Sequence, residues 1–245
     1  MATYTGTADA NGDFNVSFGG ASYASAQKVT VTATKSGSSK SVELYAPADL
    51  TGGGAIQFSG NLNNFPDNIG VITLSSDFTG SIRDYAMQSN GFPSSMFNKA
   101  TGLIINSGIT SIGIQSFATW TLATSLVLPP TLLTIGNLAF TTWSALLEIL
   151  IPNSVTSIGN GAFQTATSCK KVTLGTALAT IGTTAFTSLT ACDEIICLRT
   201  APPVIQTNTF NSLKTTCVIK VPSASLAAYQ TAPNWSVHAS KMVGV

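Results

Sequence analysis

The chain has 245 residues, which suit one elongated domain or one domain and a small module. Charged residues make up only 9% of it and the formal net charge is +1, so there is no basic stripe to neutralise a phosphate backbone and nucleic acid is not expected as a partner. The mean hydropathy is positive, but no run approaches the roughly 18 apolar residues of a membrane span, so membrane insertion is not expected and the surface must be mostly Ser, Thr, Asn and Gly.

Residues 1–50 alternate apolar and polar positions, at Phe14, Val16 and Phe18, at Val29 and Val31, and at Val42 and Leu44. The clusters ANGD, FGG and KSGSSK separate them, which predicts a small β-domain. The pieces TGTADANGDFNVSF and QKVTVTATKSG resemble strands of bacterial immunoglobulin-like modules, which implies an attachment or docking role, although the segment is shorter than the roughly 100 residues of a full sandwich. The opening residues lack the basic segment and apolar core of a secretory leader. Either a leader was removed and replaced by Met1, or export is not how the protein reaches its place of work; a virion protein, made inside the cell and released by lysis, fits the second case, and a virion origin is expected.

Residues 51–100 begin with TGGGA, read as a flexible joint because it lacks the lysine of a phosphate-binding loop. A cryptic repeat follows, with Ile72 and Leu74 on a strand and Ile82 five residues before Met87. The step from Leu74 to Ile105 is longer than any later step between strands, with SNGFPSSM as the expected loop, and the unit is expected to cap the N-terminal end of a repeat stack.

Residues 101–222 carry the main signal. Phe117, Phe140, Phe163, Phe186 and Phe210 recur with a period of about 23 residues, the last step being one longer than the others. Ile112, Ile135, Ile158 and Ile181 stand five residues before them and Gly113, Gly136, Gly159 and Gly182 four. Small residues (Ser116, Ala139, Ala162, Ala185, Thr209) immediately precede each phenylalanine. Apolar side chains follow at the sixth, ninth and eleventh positions, as in Leu146, Ile149 and Ile151, or Cys169, Val172 and Leu174, or Cys192, Ile195 and Cys197. This spacing is that of a leucine-rich repeat strand, its ninth and eleventh positions facing inward. Ala123 and Thr216 weaken the sixth-position column at its two ends. In residues 223–245, Leu226, Tyr229 and Trp235 are expected to close the stack, with Ser223 or Ser225 capping a short helix.

The full unit, SVTSIGNGAFQTATSCKKVTLG, resembles the BspA-like leucine-rich repeat family, and the tail VPSASLAAYQTAPNWS is similar to the closing segment that follows such repeats. The resemblance implies a mainly β fold, a right-handed solenoid of stacked coils used for surface attachment, and no catalysis.

The residues themselves supply little for chemistry. His238 is the lone histidine and falls in the closing segment, and there is no Cys-x-x-Cys or His-x-x-x-His pair, so no metal or cofactor is expected. Cys169, Cys192 and Cys197 fall in inward columns and are read as reduced core residues; a bridge between Cys169 and Cys192 on neighbouring strands is left open. A carbohydrate-active enzyme would need clustered acids, and Asp193 and Glu194, adjacent in a strand, should point to opposite sides. No catalytic residue is assigned.

Binding candidates lie instead on the outward strand positions. Ser125, Glu148, Lys171, Glu194 and Val218 form one row, and Lys170 beside Asp193 forms a second polar pairing. These read either as cross-strand charge ladders or as a recognition strip. Val127, Leu150, Thr173, Ile196 and Lys220 form an outward row with three apolar members, read as a contact stripe or as β-branched strand formers. Trp120 and Trp143, one repeat apart, either pack between coils or form a platform for sugar rings. The expected function is a non-enzymatic virion surface protein of a phage, a tail fibre, appendage or capsid decoration, joined to other virion proteins through its N-terminal module. A bacterial cell-surface adhesin is the alternative. A host cell-surface protein or glycan is the expected ligand class, and homo-oligomerisation is left open.

Overall fold

Two periodicities produce two kinds of sheet, antiparallel where residues alternate near the N-terminus and parallel where the phenylalanine repeat runs. The computed structural model describes residues 28–35, 38–45, 57–59, 70–74, 79–87 and 99–245. The chain divides into one unit of residues 1–49 with 56–59 and another of residues 50–55 with 60–245.

In the first unit, β1 (Lys28–Lys35) and β2 (Ser38–Tyr45) pair antiparallel. The register sets Val29 opposite Leu44 and Val31 opposite Val42, so the apolar positions of the two strands share a face. β3 (Gln57–Ser59) adds antiparallel to β2. Phe14, Val16 and Phe18 lie outside the described residues, as does the SNGFPSSM loop of the second unit.

In the second unit each coil through β14 and β15 contributes one longer and one shorter strand, and every strand pairing between coils is parallel. The longer set is β4 (Gly70–Leu74), β6 (Ala100–Ile105), β8 (Ser125–Val127), β10 (Glu148–Leu150), β12 (Lys171–Leu174), β14 (Glu194–Cys197) and β16 (Val218–Val221). The shorter set is β5 (Gly80–Ile82), β7 (Ile109–Ile112), β9 (Thr134–Ile135), β11 (Ser157–Ile158), β13 (Thr180–Ile181) and β15 (Val204–Ile205), which forms one six-stranded sheet in chain order. β4 lies beside β6 with Leu74 opposite Ile105, the long step read from the sequence. The longer strands form two ladders, β4-β6-β8 and one starting at β10, and a bond from the Leu147 N–H to the Thr124 carbonyl (3.2 Å) joins the coils between them.

Between the two sheets runs the aromatic column. Consecutive rings from Phe117 to Phe210 stack with centroids 5.5, 5.2, 5.5 and 5.5 Å apart, and all five are buried. Each phenylalanine sits in a turn whose backbone points its N–H along the stack: Phe117 donates to the Ala139 carbonyl, Phe140 to Ala162, Phe163 to Ala185 and Phe186 to Thr209. That geometry needs left-handed residues on both sides. They are Gln115, Leu138, Gly161 and Thr184 two residues before, and Thr119, Thr142, Thr165, Ser188 and Ser212 two after, with φ between 52° and 67°. The buried Ser116 closes its turn with its hydroxyl, which donates to the carbonyls of Arg83 and Gly113, both at 2.9 Å.

The isoleucine column, continued by Ile205, is buried on the short sheet. The glycine after Ile112, Ile135, Ile158 and Ile181 is required by close approach: a Cβ on Gly159 would stand 2.6 Å from the Asn137 backbone nitrogen and 2.7 Å from the Gly136 carbonyl carbon. The Asn137 carboxamide oxygen accepts the Asn160 N–H of the following coil and the Asn160 carboxamide oxygen accepts the Thr183 N–H, both at 2.8 Å. Thr124, Ser144, Thr156 and Thr167 hydroxyls donate to carbonyls of the preceding coil. The Ser/Thr-rich surface is thus a set of inter-coil bonds, which need no charge.

The closing segment differs from expectation in three ways. A 3-10 turn (Ser223–Ser225) leads into α1 (Leu226–Thr231), and neither Ser223 nor Ser225 makes a side-chain cap; the turn takes the Ser225 N–H into a bond with the Pro222 carbonyl instead. Tyr229 and Trp235 are fully buried against the last coil, whereas Leu226 is only half-buried. After a second 3-10 turn (Ser236–Lys241), β17 (Met242–Gly244) adds in parallel to β16 and extends the long-strand sheet. Trp235 Nε1 donates to the Pro203 carbonyl (2.7 Å), Asn234 Nδ2 to Ile205 (2.8 Å) and the Tyr229 hydroxyl to Arg199 (2.7 Å).

Candidate functional site

The pleat of the long strands decides what reaches solvent. Ile149, Val172, Ile195 and Ile219 point inward and are fully buried, so the residues on either side of each point out. The register aligns Glu148, Lys171, Glu194 and Val218 in one row, and Leu150, Thr173, Ile196 and Lys220 in the next. Val127 continues the second row on β8, beside the half-buried Ile104, and Val243 of β17 extends it at the other end.

The two rows differ in chemistry. Lys171 Nζ lies 3.7 Å from both the Glu148 and the Glu194 carboxylates, and Lys220 reaches diagonally to the other Glu194 oxygen. Asp193 pairs with Lys214, so the expected Lys170–Asp193 pairing is replaced; Lys170 is exposed and acts on Asp193 only through its field. Within residues 100–245 every charged side chain except Arg199 gathers along this strand side, at Glu148, Lys170, Lys171, Asp193, Glu194, Lys214, Lys220 and Lys241. The N-terminal half of the face is aliphatic: Val127, Leu147 and Leu150 are 51%, 53% and 58% exposed. Leu147, in the turn ahead of β10, shares the repeat column of Lys170 and Asp193, which the sequence marks by its charges alone.

Asp193 sits one residue ahead of β14, outside the pleat, so it and Glu194 both reach solvent instead of pointing to opposite sides. Neither is poised to donate a proton. The Lys214 hydrogen bond holds the Asp193 carboxyl below its ordinary value, and the Lys220 hydrogen bond does the same for Glu194. Retaining and inverting glycosidases need one carboxyl raised enough to act as an acid, and this pair has the opposite tuning.

Of the two readings of the repeat tryptophans, packing between coils holds and the sugar platform does not. Trp120 and Trp143 are completely buried, stacked on one another with centroids 5.3 Å apart, and Trp143 Nε1 donates to the Phe117 carbonyl at 2.6 Å. Within residues 70–74, 79–87 and 99–245 the one aromatic ring left largely exposed is Tyr85.

All four cysteines are buried and unbridged. Cys169 and Cys192 stand in turns two residues ahead of their strands and are not strand residues; Cys197 is on β14. The sixth-position column ends on Cys217, which is buried, while Thr216 is exposed: the last coil holds one extra residue, so the column passes Thr216 by. Each member of that column closes its turn the same way, Leu146, Cys169, Cys192 and Cys217 donating their N–H to the carbonyl three residues earlier. His238 packs edge-on against Phe210 with centroids 6.0 Å apart, and burial followed by the nearby Lys241 holds its pKa below the ordinary value. No three His, Cys, Asp or Glu side chains converge as a metal would need, and no helix is long and apolar enough to cross a membrane, among the described residues.

Stacked parallel coils of near-constant length, with an aromatic and an isoleucine column, define a leucine-rich repeat protein. The chain belongs to the BspA-type leucine-rich repeat family, whose pattern it matches in six copies over residues 87–217, more than half its length. It is similar in structure to the pneumococcal vaccine antigen PcpA, with 17% identity over 81% of this chain and a TM-score of 0.50. It is also similar to a leucine-rich repeat protein of T. pallidum (21% identity, 60% of this chain, 79% of that one, TM-score 0.43). A leucine-rich cell surface protein of Faecalibacterium prausnitzii is a third such structure (17% identity, 78% of this chain, TM-score 0.48). The chain spans 52% of the pneumococcal protein and 54% of the Faecalibacterium one. No curated protein matches it.

Proposed function

We propose that the chain is a non-enzymatic attachment protein whose long-strand face binds another protein at a bacterial cell surface. The observation that carries this reading is the face itself, which joins an aliphatic patch of Val127, Leu147 and Leu150 to the only dense group of charges in the repeats. Exposed patches of that kind mark contact with another chain. A glycan site would favour exposed aromatic rings, and here the two repeat tryptophans are sealed in the core, which supports a protein ligand over a sugar. The family resemblance, which implies surface attachment without catalysis, supports the placement. The phage-virion placement expected from the opening residues gains no support from the family or the structural relatives. The N-terminal unit, with its antiparallel strands, serves in this reading as the immunoglobulin-like module that joins the repeats to a larger assembly.

The test is binding of the labelled chain to a panel of bacterial cells, with and without mild protease treatment of the cells, alongside a Val127→Asp, Leu150→Asp variant. Both substituted side chains face solvent, so the variant should fold. Binding that protease removes and the variant weakens at least tenfold supports the reading. Binding that survives protease, or a variant that binds as well as the parent, would sink it.

A further inference from the structure

Cys169, Cys192 and Cys217 occupy one buried column on three successive coils. Adjacent parallel coils stand about 4.8 Å apart, inside the range of roughly 4.4–6.8 Å between Cα atoms that a disulfide tolerates. The three thiols are not equivalent. Cys169 and Cys192 each donate to the carbonyl two residues on, Lys171 at 3.2 Å and Glu194 at 3.3 Å. Cys217, displaced by the extra residue of the last coil, has only a long contact of 3.9 Å to the Val218 carbonyl, and the Val218 N–H next to it bonds the Asp193 carbonyl next to Cys192 at 3.0 Å, which sets the two thiols on adjoining stretches of neighbouring coils.

We propose that Cys192 and Cys217 form an oxidation site, closing a disulfide that staples the last two coils when the chain meets a low-molecular-weight disulfide such as oxidised glutathione. The Cys217 thiol loses its proton to water, and its sulfur attacks one sulfur of the reagent. The first glutathione leaves as a thiolate and takes up a proton. Cys192, deprotonated in turn, attacks the Cys217 sulfur of the mixed disulfide, so the protein S–S bond forms and the second glutathione leaves and is protonated. Two thiols are oxidised and one disulfide of the reagent is reduced. Cys217 is the attacking group because Cys192 beside it, then Lys241 and Lys214, hold its thiol below the ordinary value, whereas burial pushes the Cys169 thiol up to about 11. Cys197 takes no part: its sulfur meets the Tyr229 hydroxyl at 3.1 Å, in a different column under the closing segment.

The position gives the bond its effect. Repeat stacks open first at their ends, where a coil has one neighbour. Thiols stay reduced in the cytosol and pair outside it, so the staple would close only after the chain leaves the cell.

The full chain is incubated under native conditions with oxidised or with reduced glutathione, quenched in acid, alkylated after unfolding and mapped by peptide mass spectrometry, and its melting temperature is followed. The expected result is a Cys192–Cys217 peptide link, Cys169 and Cys197 still alkylated, and a melting temperature raised by about 5–15 °C. Cys217→Ser should abolish both link and rise, and Cys169→Ala should leave both unchanged. Four thiols still free after oxidation, a Cys169–Cys192 link, or a link only between chains would each overturn the proposal, as would a bond that appears only after the circular dichroism of the folded chain is lost.

Discussion

Gly159 shows how closely successive coils approach. Its absent Cβ is replaced by backbone of the previous coil at 2.6–2.7 Å, and backbone cannot rotate away as the end of a long side chain could. Gly159→Ala should therefore destabilise the fold by about 1–3 kcal/mol, read as a lower urea midpoint with little change in slope. The glycine column was visible in the spacing of the sequence because a single residue type recurs there. The two left-handed columns around each phenylalanine were not. Their members are mostly Thr, Ser, Gln and Leu, with only Gly161 of the residue type that normally marks positive φ, so nothing in residue identity announced them. Thr165 and its equivalents adopt that conformation because it aims the turn's N–H groups at the next coil, as in the Thr165 bond to the Thr187 carbonyl at 2.9 Å.

At the scale of elements, the long strands were legible and the short ones were not, for a reason of length. Four residues such as Lys171–Leu174 show an inward–outward alternation, but two residues such as Ser157–Ile158 have no period to read. β17 escaped because it lies beyond the last repeat, where no column recurs to mark it. On the candidate face, Glu148, Lys171, Glu194, Val127, Leu150, Ile196 and Lys220 followed from the pleat, while Leu147 and the Asp193–Lys214 pair depend on turns whose direction the spacing does not give. The closing segment carries a pH dependence. His238 is half-buried against Phe210 with Lys241 near it, and its folded pKa lies below the ordinary 6.5. The unfolded chain then binds the proton more readily, so the stabilisation is fully present above about pH 6.5 and is lost as pH falls through the folded value. Melting temperature should fall between pH 7 and the folded pKa of His238, and a His238→Phe variant should flatten that slope. An unchanged slope would place the sensitivity elsewhere. Asp193 and Glu194, also held below their ordinary values, act in a separate window: their contribution is present above the usual carboxylate range and declines only below it.

Over the whole second unit, stability is carried by contacts between neighbouring coils, and the phenylalanine column is its clearest expression. Phe163 stacks on Phe140 at 5.2 Å and on Phe186 at 5.5 Å and meets no ring further along the column, so each ring belongs to two coil interfaces at most. In a protein with one shared core, removing a buried phenylalanine lowers the midpoint of a single transition. In a stack the same change weakens two adjacent interfaces and leaves the rest intact. Phe163→Ala should cost about 3–5 kcal/mol, and it should also divide the unfolding, with the coils on the Phe117 side and those on the Phe210 side separating into two transitions. Hydrogen exchange reads this directly: amides of β12 and β13 should lose protection most, while those of β7 and of β16 under its cap should hold nearer their parent values. A uniform loss of protection across all coils would mean that the stack behaves as one cooperative body, and that the long-strand face is held rigid by the whole column instead of by neighbouring pairs.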